Sequence, residues 1–351
     1  MAMARTVMTL SEDMIVEILL RLPVKILARF RERQSTPKIL LSTPSMLGFI
    51  EIDAPFWDGS AVRDLFFRFK QRGRAVKMVG SCNGLVCVTL YNHKDFYIWN
   101  PSTGAHRKLP DPEVSPDGGT YKYGFGYDSS SGDYKVLVAS YGARNPGHFL
   151  GSEGKLFSLK RNSWIRIQVL DNPYESYYSA GILCNGALHW EVVLDEPYKC
   201  QMIVAFNLAE EKFINVPYPS IPIEEYDEEE EVIDICFDGL RNLGGRLCFT
   251  CYRSNFVDLL VMMEYGVQQS WERMFKVVCD DPFGLFMNLF ALWSSSAGQF
   301  VGIYKRQELM RKFFEEETHE TFVFCRHPDG WEAVVFAESL LSPNDYDLDD
   351  V

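Results

Sequence analysis

The spacing of apolar residues divides the chain into a short helical segment and a much longer stretch of strands. Near the start, apolar residues recur on one face of a predicted helix, at Ile15, Ile18, Leu19 and Leu22. Thr9 and Glu12 form a capping-box pattern that begins this helix. Because Pro23 lacks an amide donor and disfavours helix at the residue before it, a second short helix is predicted from Val24 to Phe30. Two such helices bury little apolar surface alone, so they need a partner surface.

From Val79 onward, short apolar segments with a period of two are separated by Gly, Pro, Asn and Asp, which is typical of an all-β domain. A glycine turn recurs at Asn83-Gly84, Asn185-Gly186, Gly244-Gly245 and Ala297-Gly298. A further unit lies between the first two, and the exit strands of the five units end near residues 109, 169, 216, 277 and 335. Their mean spacing of about 56 residues is close to the kelch-type period of about 50.

These repeats predict a mainly β fold, a kelch-like β-propeller of about six irregular blades that follows the short helical segment. Lys38 to Asp53 and the end of the chain are available to complete the sixth blade. Radial repetition shortens the exposed sheet edges, which favours a propeller over an open sheet.

Composition and charge narrow the possible partners. The 351 residues are 47% apolar and 24% charged, which is typical of a globular protein, and the net charge of -13 would repel a nucleic acid. Every apolar run is shorter than the roughly 18 residues that span a bilayer, and residues 1–10 lack the apolar core of a signal peptide. Nine cysteines, an odd number, are typical of a reducing compartment, so we expect the cytoplasm and/or the nucleus and no membrane association.

The amino-terminal helices resemble a known motif. Residues 10–31, and above all Leu22-Pro23-Val24-Lys25, resemble the first half of a plant F-box, whose helices dock on the Skp adaptor of SCF ubiquitin ligases. Ser11 stands where the family has its opening proline. The resemblance assigns adaptor contact to Leu10, Ile15, Ile18, Leu19, Leu22, Pro23, Val24, Leu27 and Phe30.

The sequence departs from the F-box pattern after Arg31. The family continues with a Cys-Val-x-Lys-x-Trp segment and a third helix, whereas here residues 32–37 lead straight into Lys38-Ile39-Leu40-Leu41, which resembles the opening strand of the next domain. Because each buried apolar anchor contributes about 1.5 to 3 kcal/mol, the loss of three should weaken adaptor binding strongly. Two alternatives are a helical cap packed on the body of the protein and an altered transcript around Arg31.

The remainder resembles the F-box-associated domain of plants over most of residues 37–340. The motifs that carry this resemblance are Tyr97 to Gly104, Tyr123 to Asp128 and Asp133 to Val136. That domain recruits substrates, and its relatives include S-locus F-box proteins and regulators of immune receptors, between which this sequence does not distinguish. The implied organisation is a flexible start at 1–8, a partial F-box at 9–31, the propeller at 32–340 and a disordered acidic tail at 341–351.

Three patterns that could carry chemistry favour structural roles. Gly124-Phe125-Gly126 lacks the third glycine of a dinucleotide fingerprint, since Ser129 takes that place, and a turn is predicted instead. Cys248 and Cys251 form a lone Cys-x-x-Cys without the second pair that a zinc site needs. His319-Glu320 lacks the second histidine of a zincin. The sequence therefore predicts no catalytic set, no metal site and no cofactor.

Three loop segments are candidates for contact with a protein substrate, because long loops on a rigid scaffold often carry recognition. They are the acidic run from Glu224 to Glu231, which includes Glu228 and Glu229 and is suited to a basic substrate, the tyrosine group Tyr174, Tyr177 and Tyr178, and the segment from Arg144 to Phe149. Aromatic and arginine side chains are favoured interface anchors. The alternative is that these segments are solvated loops or loop ends tucked against a sheet.

The resemblance implies a non-enzymatic substrate-recognition subunit of an SCF-type E3 ubiquitin ligase. Its expected partners are a Skp-type adaptor, a Cullin and an unknown protein substrate. The alternative is a stand-alone propeller scaffold or decoy that has lost adaptor binding through its truncated F-box. A propeller enzyme is a third class, which no convergent set of acid, base or metal ligands in the sequence supports.

Overall fold

The computed structural model describes most of the chain beyond residue 36. The described residues are 37–52, 61–90, 93–114, 120–141, 144–145, 148–149, 152–169, 179–194, 200–219, 236–252, 256–278, 290–294, 299–304, 308–313, 318–323 and 331–346. The predicted helices of residues 9–31 lie outside these ranges, together with every residue assigned to adaptor contact.

The first half of the described chain contains thirteen strands. Three strands come first: β1 (Lys38–Ser42), β2 (Leu47–Glu51) and β3 (Arg63–Asp64). The next sheet contains β4 (Lys77–Cys82), β5 (Leu85–Thr89), β6 (Phe96–Trp99) and β7 (His106–Lys108). The sheet after it contains β8 (Thr120–Asp128), β9 (Asp133–Tyr141), β12 (Ser152–Ser158) and β13 (Ser163–Ile167). A hairpin of β10 (Arg144–Asn145) and β11 (His148–Phe149) is inserted after β9.

The second half continues in the same way. A third sheet contains β14 (Ile182–Cys184), β15 (Ala187–Leu194), β16 (Cys200–Asn207) and β17 (Lys212–Val216). A fourth contains β18 (Cys236–Leu243), β19 (Arg246–Tyr252), β20 (Phe256–Met262) and β21 (Trp271–Val278), with a 3-10 helix at Gln268–Ser270. A fifth contains β22 (Phe290–Ser294), β23 (Gln299–Tyr304), β24 (Glu308–Phe313) and β25 (Thr318–Val323). The last strand, β26 (Glu332–Phe336), pairs with β1.

The sheets form a ring of blades, which confirms the predicted β-propeller. Within the described ranges, six antiparallel four-stranded sheets follow one another; we number those that begin with β4, β8, β14, β18 and β22 as blades 1 to 5, and the sheet β26-β1-β2-β3 as blade 6. The first strand of each blade contacts the first strand of the next, and β22 of blade 5 contacts β26 of blade 6, which in turn contacts β4. These inner strands therefore surround the axis of the ring, and the pairing of β26 with β1 closes it.

The recurring glycine turns at Asn83-Gly84 and Asn185-Gly186 link the first and second strands of a blade, so each lies inside its unit, one strand later than a turn that opens the unit would. Asn83 and Gly84 have φ angles of 52° and 74°, and Asn185 and Gly186 have φ angles of 46° and 72°. Two successive residues with positive φ give the turn whose twist matches that of a two-residue hairpin, and Asn-Gly is the favoured pair there. The recurrence in the sequence is thus the recurrence of one hairpin in successive blades.

The apolar side chains fill the spaces between neighbouring blades. In β9 all nine residues are buried, because its two faces pack against different blades. Val136 and Val138 belong to the core shared with blade 1, whereas Leu137 and Ala139 belong to the core shared with blade 3. A strand with both faces covered favours β-branched and apolar residues at every position.

The last strand, β26, belongs to a different blade from the one predicted. The strand ending at Phe336 was predicted as the exit strand of the fifth unit, but β25 is the outer strand of blade 5 and β26 is the inner strand of blade 6. The position of the strand in the sequence was predicted correctly. Its assignment was wrong because pairing with β1, about 300 residues away in sequence, decides which blade the strand joins.

The predicted turn at Gly124-Phe125-Gly126 is wrong, because these residues lie within β8. A Cβ atom at Gly124 would lie 2.5 Å from Leu188 Cδ1, and one at Gly126 would lie 2.6 Å from Leu208 Cδ1. Both leucines belong to the core between blades 2 and 3. The glycines therefore permit a close approach between two blades instead of a change in chain direction.

The expected disorder of the tail is also wrong for its first part. After β26, Leu341 and Tyr346 are buried in the core between blades 1 and 2, and the Tyr346 ring packs edge-on against Tyr134 at a centroid distance of 5.3 Å. Residues 347–351 lie outside the described residues.

Candidate functional site

The ring has two faces, which differ in their connections. The inner strands of neighbouring blades run in one direction, since Tyr123 of β8 and Ala180, just before β14, form a parallel bridge. The connections between second and third strands and between successive blades therefore emerge on one face, which we call the loop face. The turns between first and second and between third and fourth strands emerge on the opposite face, the turn face. Because Lys38 pairs with Phe336, the chain enters β1 and leaves β26 at the turn face.

The three predicted substrate-binding segments are all connected to strand ends at the loop face. Arg144 lies in β10, between the second and third strands of blade 2. Tyr174, Tyr177 and Tyr178 lie outside the described residues, between the end of β13 and the start of β14. Glu228 and Glu229 also lie outside them, between β17 and β18. No contact that the structure describes tests these segments as a binding site, so their role stays a prediction.

A group of polar and aromatic residues that the sequence did not single out lies at the loop-face ends of the inner strands. We call it the axial cluster. It consists of Lys77, His93, Tyr121, Lys122, Tyr123, Ser179 and Glu332. Lys77 and Glu332 are the first residues of β4 and β26, and Lys122 lies near the start of β8. The cluster therefore faces the same side of the ring as the long connections.

Lys77 connects the members of the axial cluster. Its ammonium donates a hydrogen bond to Ser179 Oγ at 2.8 Å and lies 5.4 Å from the centroid of the Tyr123 ring, a distance at which cation–π attraction operates. This contact links blade 1 to the first residues of blade 3, across the inner strand of blade 2. One cation thus joins three blades beside the axis.

Three aromatic rings form a stack next to this cation. The rings of His93 and Tyr121 are parallel within 9° at a centroid distance of 4.2 Å, and Tyr121 and Tyr123 are parallel within 1° at 6.0 Å. His93 Nδ1 also forms a hydrogen bond with the Tyr123 hydroxyl. Burial, helped by the positive charge of Lys77, lowers the pKa of His93, so the imidazole is neutral at physiological pH. A neutral, stacked imidazole is suited to hydrogen bonding and packing.

Glu332 is the acidic member of the axial cluster. Its Oε2 accepts a hydrogen bond from the Met78 amide at 3.4 Å. Burial raises the pKa of Glu332 to about 7, although the positive charge of Lys77 and the Met78 hydrogen bond act in the opposite direction. The net charge of the cluster therefore changes near neutral pH, because the carboxyl group is close to half-ionised there.

Lys122 extends the cluster into the space between blades 2 and 3. A cavity of about 20 Å³ beside it has room for a single water molecule. The other lining residues are Leu137, Ala139, Tyr141, Trp190, Val192, Val204 and Phe213. Burial, with the charge of Lys77, lowers the pKa of Lys122 to about 8, and Trp190 Nε1 has no hydrogen-bond partner in the described part of the chain. Trp190 Nε1 therefore supplies a hydrogen-bond donor to this space, next to the buried side chain of Lys122.

The turn face is closed by the tail that follows β26. Asn100 is fully buried, and its Nδ2 donates to the carbonyl oxygens of Ser339 at 3.0 Å and Leu341 at 2.7 Å. Its Oδ1 accepts from the amides of Ser102 at 2.8 Å and Thr103 at 3.3 Å. One side chain thus holds both its own turn and the tail, which covers the turn face of blades 1 and 2.

A buried ion pair also strengthens the turn face. Lys135 Nζ lies 3.0 Å from Asp128 and 2.8 Å from Glu211, and it donates to the Leu208 carbonyl oxygen at 2.6 Å. Asp128 also accepts hydrogen bonds from the hydroxyl groups of Ser130 and Ser131, so its pKa is held well below the usual range despite burial. Because Glu211 comes from blade 3, these contacts tie blades 2 and 3 together.

The described residues offer structural thiols and no metal-binding group. Burial raises the pKa of Cys87, Cys184 and Cys248, and these thiols are free. No set of three or more His, Cys, Asp or Glu side chains in the described ranges is arranged to hold a metal ion. The side chain of Cys251 lies outside the described residues, so the Cys-x-x-Cys pair is not tested as a pair. None of the described helices is both long and apolar enough to cross a membrane.

Known proteins resemble the chain over most of its length. The family described as "F-box associated beta propeller domain" matches residues 42–318. F-box protein CPR1 of Arabidopsis thaliana is 31% identical over 77% of this chain and 73% of its own length. The Arabidopsis F-box/kelch-repeat protein At3g23880 is 27% identical over 95% of both chains, and F-box protein At3g07870 is 27% identical over 80% of this chain and 75% of its own length.

Among solved structures, apo AztD from Citrobacter koseri is similar to 87% of this chain and 100% of its own, with a TM-score of 0.43 and 8% sequence identity. The family match covers well over half of the chain, and the similarity to CPR1 covers more than two thirds of that protein. The chain therefore belongs to the F-box proteins that carry an F-box associated β-propeller domain.

Proposed function

We propose that this protein is the substrate-recognition subunit of an SCF-type E3 ubiquitin ligase. Its propeller binds a target protein at the loop face, and its amino-terminal segment binds a Skp-type adaptor that connects it to the Cullin. Ubiquitin transfer is performed by other subunits, so the chain itself has a binding role. Family membership supports this assignment, because an F-box protein with an associated propeller pairs an adaptor-binding segment with a recognition domain.

The two-faced ring is the observation that supports this division of labour most strongly. The amino-terminal segment joins the propeller at Lys38, on the turn face, where the tail is anchored by Asn100. The long connections and the axial cluster lie on the opposite face. An adaptor bound by the amino-terminal segment therefore leaves the loop face open for a target, with no competition for the same surface.

The free, buried thiols support a location in the cytoplasm or the nucleus. Cys87 and Cys248 are fully buried and Cys184 nearly so. Free thiols persist in the reducing environment of the cytosol and the nucleus. Fractionation of cells that express the tagged chain tests this location, and recovery only in secretory compartments would contradict it.

Co-purification with the adaptor tests the proposed function. The full chain is co-expressed with a Skp-type adaptor and a Cullin, and we expect all three to elute together. Leu19→Arg and Leu22→Arg should abolish the complex, because each places a charge on the apolar face predicted to contact the adaptor. Glu17→Gln, on the other side of the same predicted helix, is the matched control and should leave the complex intact. Retention of the adaptor by both arginine variants would contradict the assignment.

A decoy that binds the target without delivering it is the second candidate function. The feature that favours it is the departure of the sequence from the F-box pattern after Arg31, where residues 32–37 lead straight to Lys38. If the unaltered chain fails to bind the adaptor, insertion of a family-type Cys-Val-x-Lys-x-Trp segment and third helix after Arg31 should restore binding. That pair of results would establish the decoy, whereas equal binding with and without the insertion would rule it out.

A further inference from the structure

We propose that residues 63–74 form a docking surface for an acidic segment of the target protein, with Phe66 as its apolar anchor. This inference rests on the proposed function and specifies the chemistry of the target. We call the surface the basic ridge. It consists of Arg63, Phe66, Arg68, Lys70, Arg72 and Arg74.

The charge of the basic ridge is opposite to that of the protein as a whole. Within residues 63–74 the sequence has five basic residues and a single acidic one, Asp64, whereas the whole chain has a net charge of -13. A basic surface on an acidic protein attracts an acidic partner locally, and the net negative charge of the whole chain disfavours a long polyanion. The ridge is therefore suited to a short acidic peptide segment more than to a nucleic acid.

An alternating pattern explains why Phe66 is exposed. Phe67 is buried, with its ring 5.0 Å from that of Trp99 and 5.6 Å from that of Tyr97, in the core between blades 6 and 1. Leu65 and Phe69 are partly buried in the same core. In an extended chain the alternate residues point the other way. Phe66, between the inward-facing Leu65 and Phe67, therefore projects outward and is 86% exposed. Arg68 is exposed in the turn that a hydrogen bond from the Lys70 amide to the Phe67 carbonyl oxygen closes.

Several contacts hold the ridge in place. Lys70 Nζ donates to the carbonyl oxygens of Pro44 at 3.0 Å and Arg74 at 3.1 Å, which closes the turn at the end of the ridge. The Phe69 ring stacks on Tyr97 at a centroid distance of 4.4 Å, and the Arg68 guanidinium lies 5.0 Å from the Phe69 centroid. A surface that is ordered before binding loses less conformational entropy when a ligand docks.

Two arginines of the ridge are available for a partner. Arg63 already lies 3.6 Å from Glu51, whereas Arg68 and Arg72 are exposed and have no carboxylate partner in the described part of the chain. Residues 66–74 emerge at the loop face, because the Leu65 amide donates to the Leu47 carbonyl oxygen at the loop-face end of β2. An exposed aromatic ring flanked by guanidinium groups matches the composition of interface hot spots.

Fluorescence anisotropy with a defined probe tests the basic ridge. The full chain is titrated into a fluorescein-labelled peptide of glutamates around a central Leu-Phe pair, and we expect binding that weakens as salt is added. Phe66→Ala should lower the affinity about tenfold, and Arg68→Glu combined with Arg72→Glu about a hundredfold. Arg166→Glu is the control, because it makes the same Arg-to-Glu replacement once, on the exposed outer strand of blade 2, and should leave the affinity within about twofold of the unaltered chain.

Four results would overturn the proposal. They are no binding of the acidic peptide to the unaltered chain, equal affinity for the ridge variants, equal binding of a lysine peptide of the same length, and tighter binding of a single-stranded oligonucleotide to the ridge. Sedimentation velocity of the unaltered chain and of the double variant adds a further readout, since a change from dimer to monomer would make the ridge a self-association surface instead.

Adaptor binding distinguishes a failure of this inference from a failure of the proposed function. The ridge lies on the loop face, so the double variant should retain the adaptor in the co-purification described above. Loss of peptide binding with the adaptor retained supports the ridge. If the chain binds the peptide but does not bind the adaptor, the result supports the basic ridge as a docking surface and refutes the ligase role.

Discussion

The turn face and the loop face of this propeller differ in how their side chains are buried and hydrogen-bonded. On the turn face, the hairpins of blades 1 and 2 are covered by the tail, and buried groups such as Asn100 and Lys135 are hydrogen-bonded within the protein. The loop face carries the connections between successive blades, and Phe66 and Arg72 are exposed there. The turn face thus uses its polar groups to stabilise the ring, whereas the loop face leaves them available to other molecules.

This difference shows how one repeated unit separates stability from recognition. A four-stranded blade places its tight hairpins at one face and the connections that tolerate variation at the other. Substitutions on the turn face should therefore change the free energy of unfolding, and substitutions on the loop face should change binding. The predictions that follow test this contrast from its largest expected effect to its smallest.

Asn100→Ala should produce the largest loss of stability. The change removes five hydrogen bonds of a fully buried side chain and leaves the Ser339 and Leu341 carbonyl oxygens without this donor. We expect the free energy of unfolding to fall by about 2 to 4 kcal/mol, measured by urea denaturation. Asn215→Ala, at an exposed position of β17, is the control and should change it by less than about 0.5 kcal/mol. Equal effects of the two variants would mean that the tail does not stabilise the ring.

Gly84→Ala should be the next most damaging change. Gly84 has a φ of 74°, and an added Cβ would lie 2.4 Å from Ser339 Cβ and 2.9 Å from the Ala337 carbonyl oxygen. The matched control is Gly186→Ala, since Gly186 has a φ of 72° in the equivalent turn but no atom within 4 Å of the added Cβ. Positive φ alone costs about 1 kcal/mol for alanine, so Gly84→Ala should cost about 1 to 2 kcal/mol more than its control. Equal thermal stability of the two variants would contradict the packing of the tail on this turn.

Glu332→Gln should alter the pH dependence of stability. Burial raises the pKa of Glu332 to about 7 from its ordinary 4.5, so proton binding favours the folded state. That contribution is complete below pH 4.5 and is lost as the pH rises through 7. Between pH 5 and pH 8.5 the unaltered chain should therefore lose about 2 to 3 kcal/mol of unfolding free energy that the variant retains, measured by denaturation at both values. Glu210→Gln, at an exposed turn, is the control and should show no such difference.

Phe66→Ala should have the smallest effect on stability. Because Phe66 is 86% exposed, its removal should change the free energy of unfolding by less than about 0.5 kcal/mol. The same variant should lose about tenfold in affinity for the acidic peptide. A loss of stability comparable to that of Asn100→Ala would show that Phe66 packs in the folded protein and would remove the contrast between the faces.

Much of the fold was readable from local sequence. The predicted exit strands near residues 109, 169, 216 and 277 match β7, β13, β17 and β21, because each strand ends where turn residues interrupt the alternating pattern. Asn83-Gly84 and Asn185-Gly186 marked hairpins correctly, since positive φ is a local requirement that few residues satisfy. Such features depend on neighbours in sequence, so the sequence is sufficient to find them.

The errors came from residues whose partners are distant in sequence. Gly124 was predicted in a turn, but it lies in a strand where Leu188 of the next blade occupies the space of a side chain. Tyr346 belongs to an acidic tail that was expected to be disordered, but its ring packs against Tyr134. In both cases a contact across more than sixty residues overrides the local preference, and no local pattern reports such a contact.

The candidate site was the part that sequence predicted least well. Lys77 and Glu332 were missed because each is a single charged residue at the first position of an apolar strand, a signal that resembles an ordinary strand end. Their chain separation exceeds 250 residues, yet the charge of Lys77 acts on Glu332. The tyrosine and glutamate segments near residues 174 and 228 lie outside the described residues and stay predictions.

The sequence by itself determined the repeated hairpins, the all-β class and the resemblance to F-box proteins, because turn chemistry, alternation and motifs are local properties. Only the tertiary structure decided which strand closes the ring, which face the tail covers and which charges meet beside the axis. The physical reason is that closing a ring brings together residues hundreds of positions apart. The interaction energies of these residues depend on their distances in the folded protein, and local sequence patterns do not report those distances.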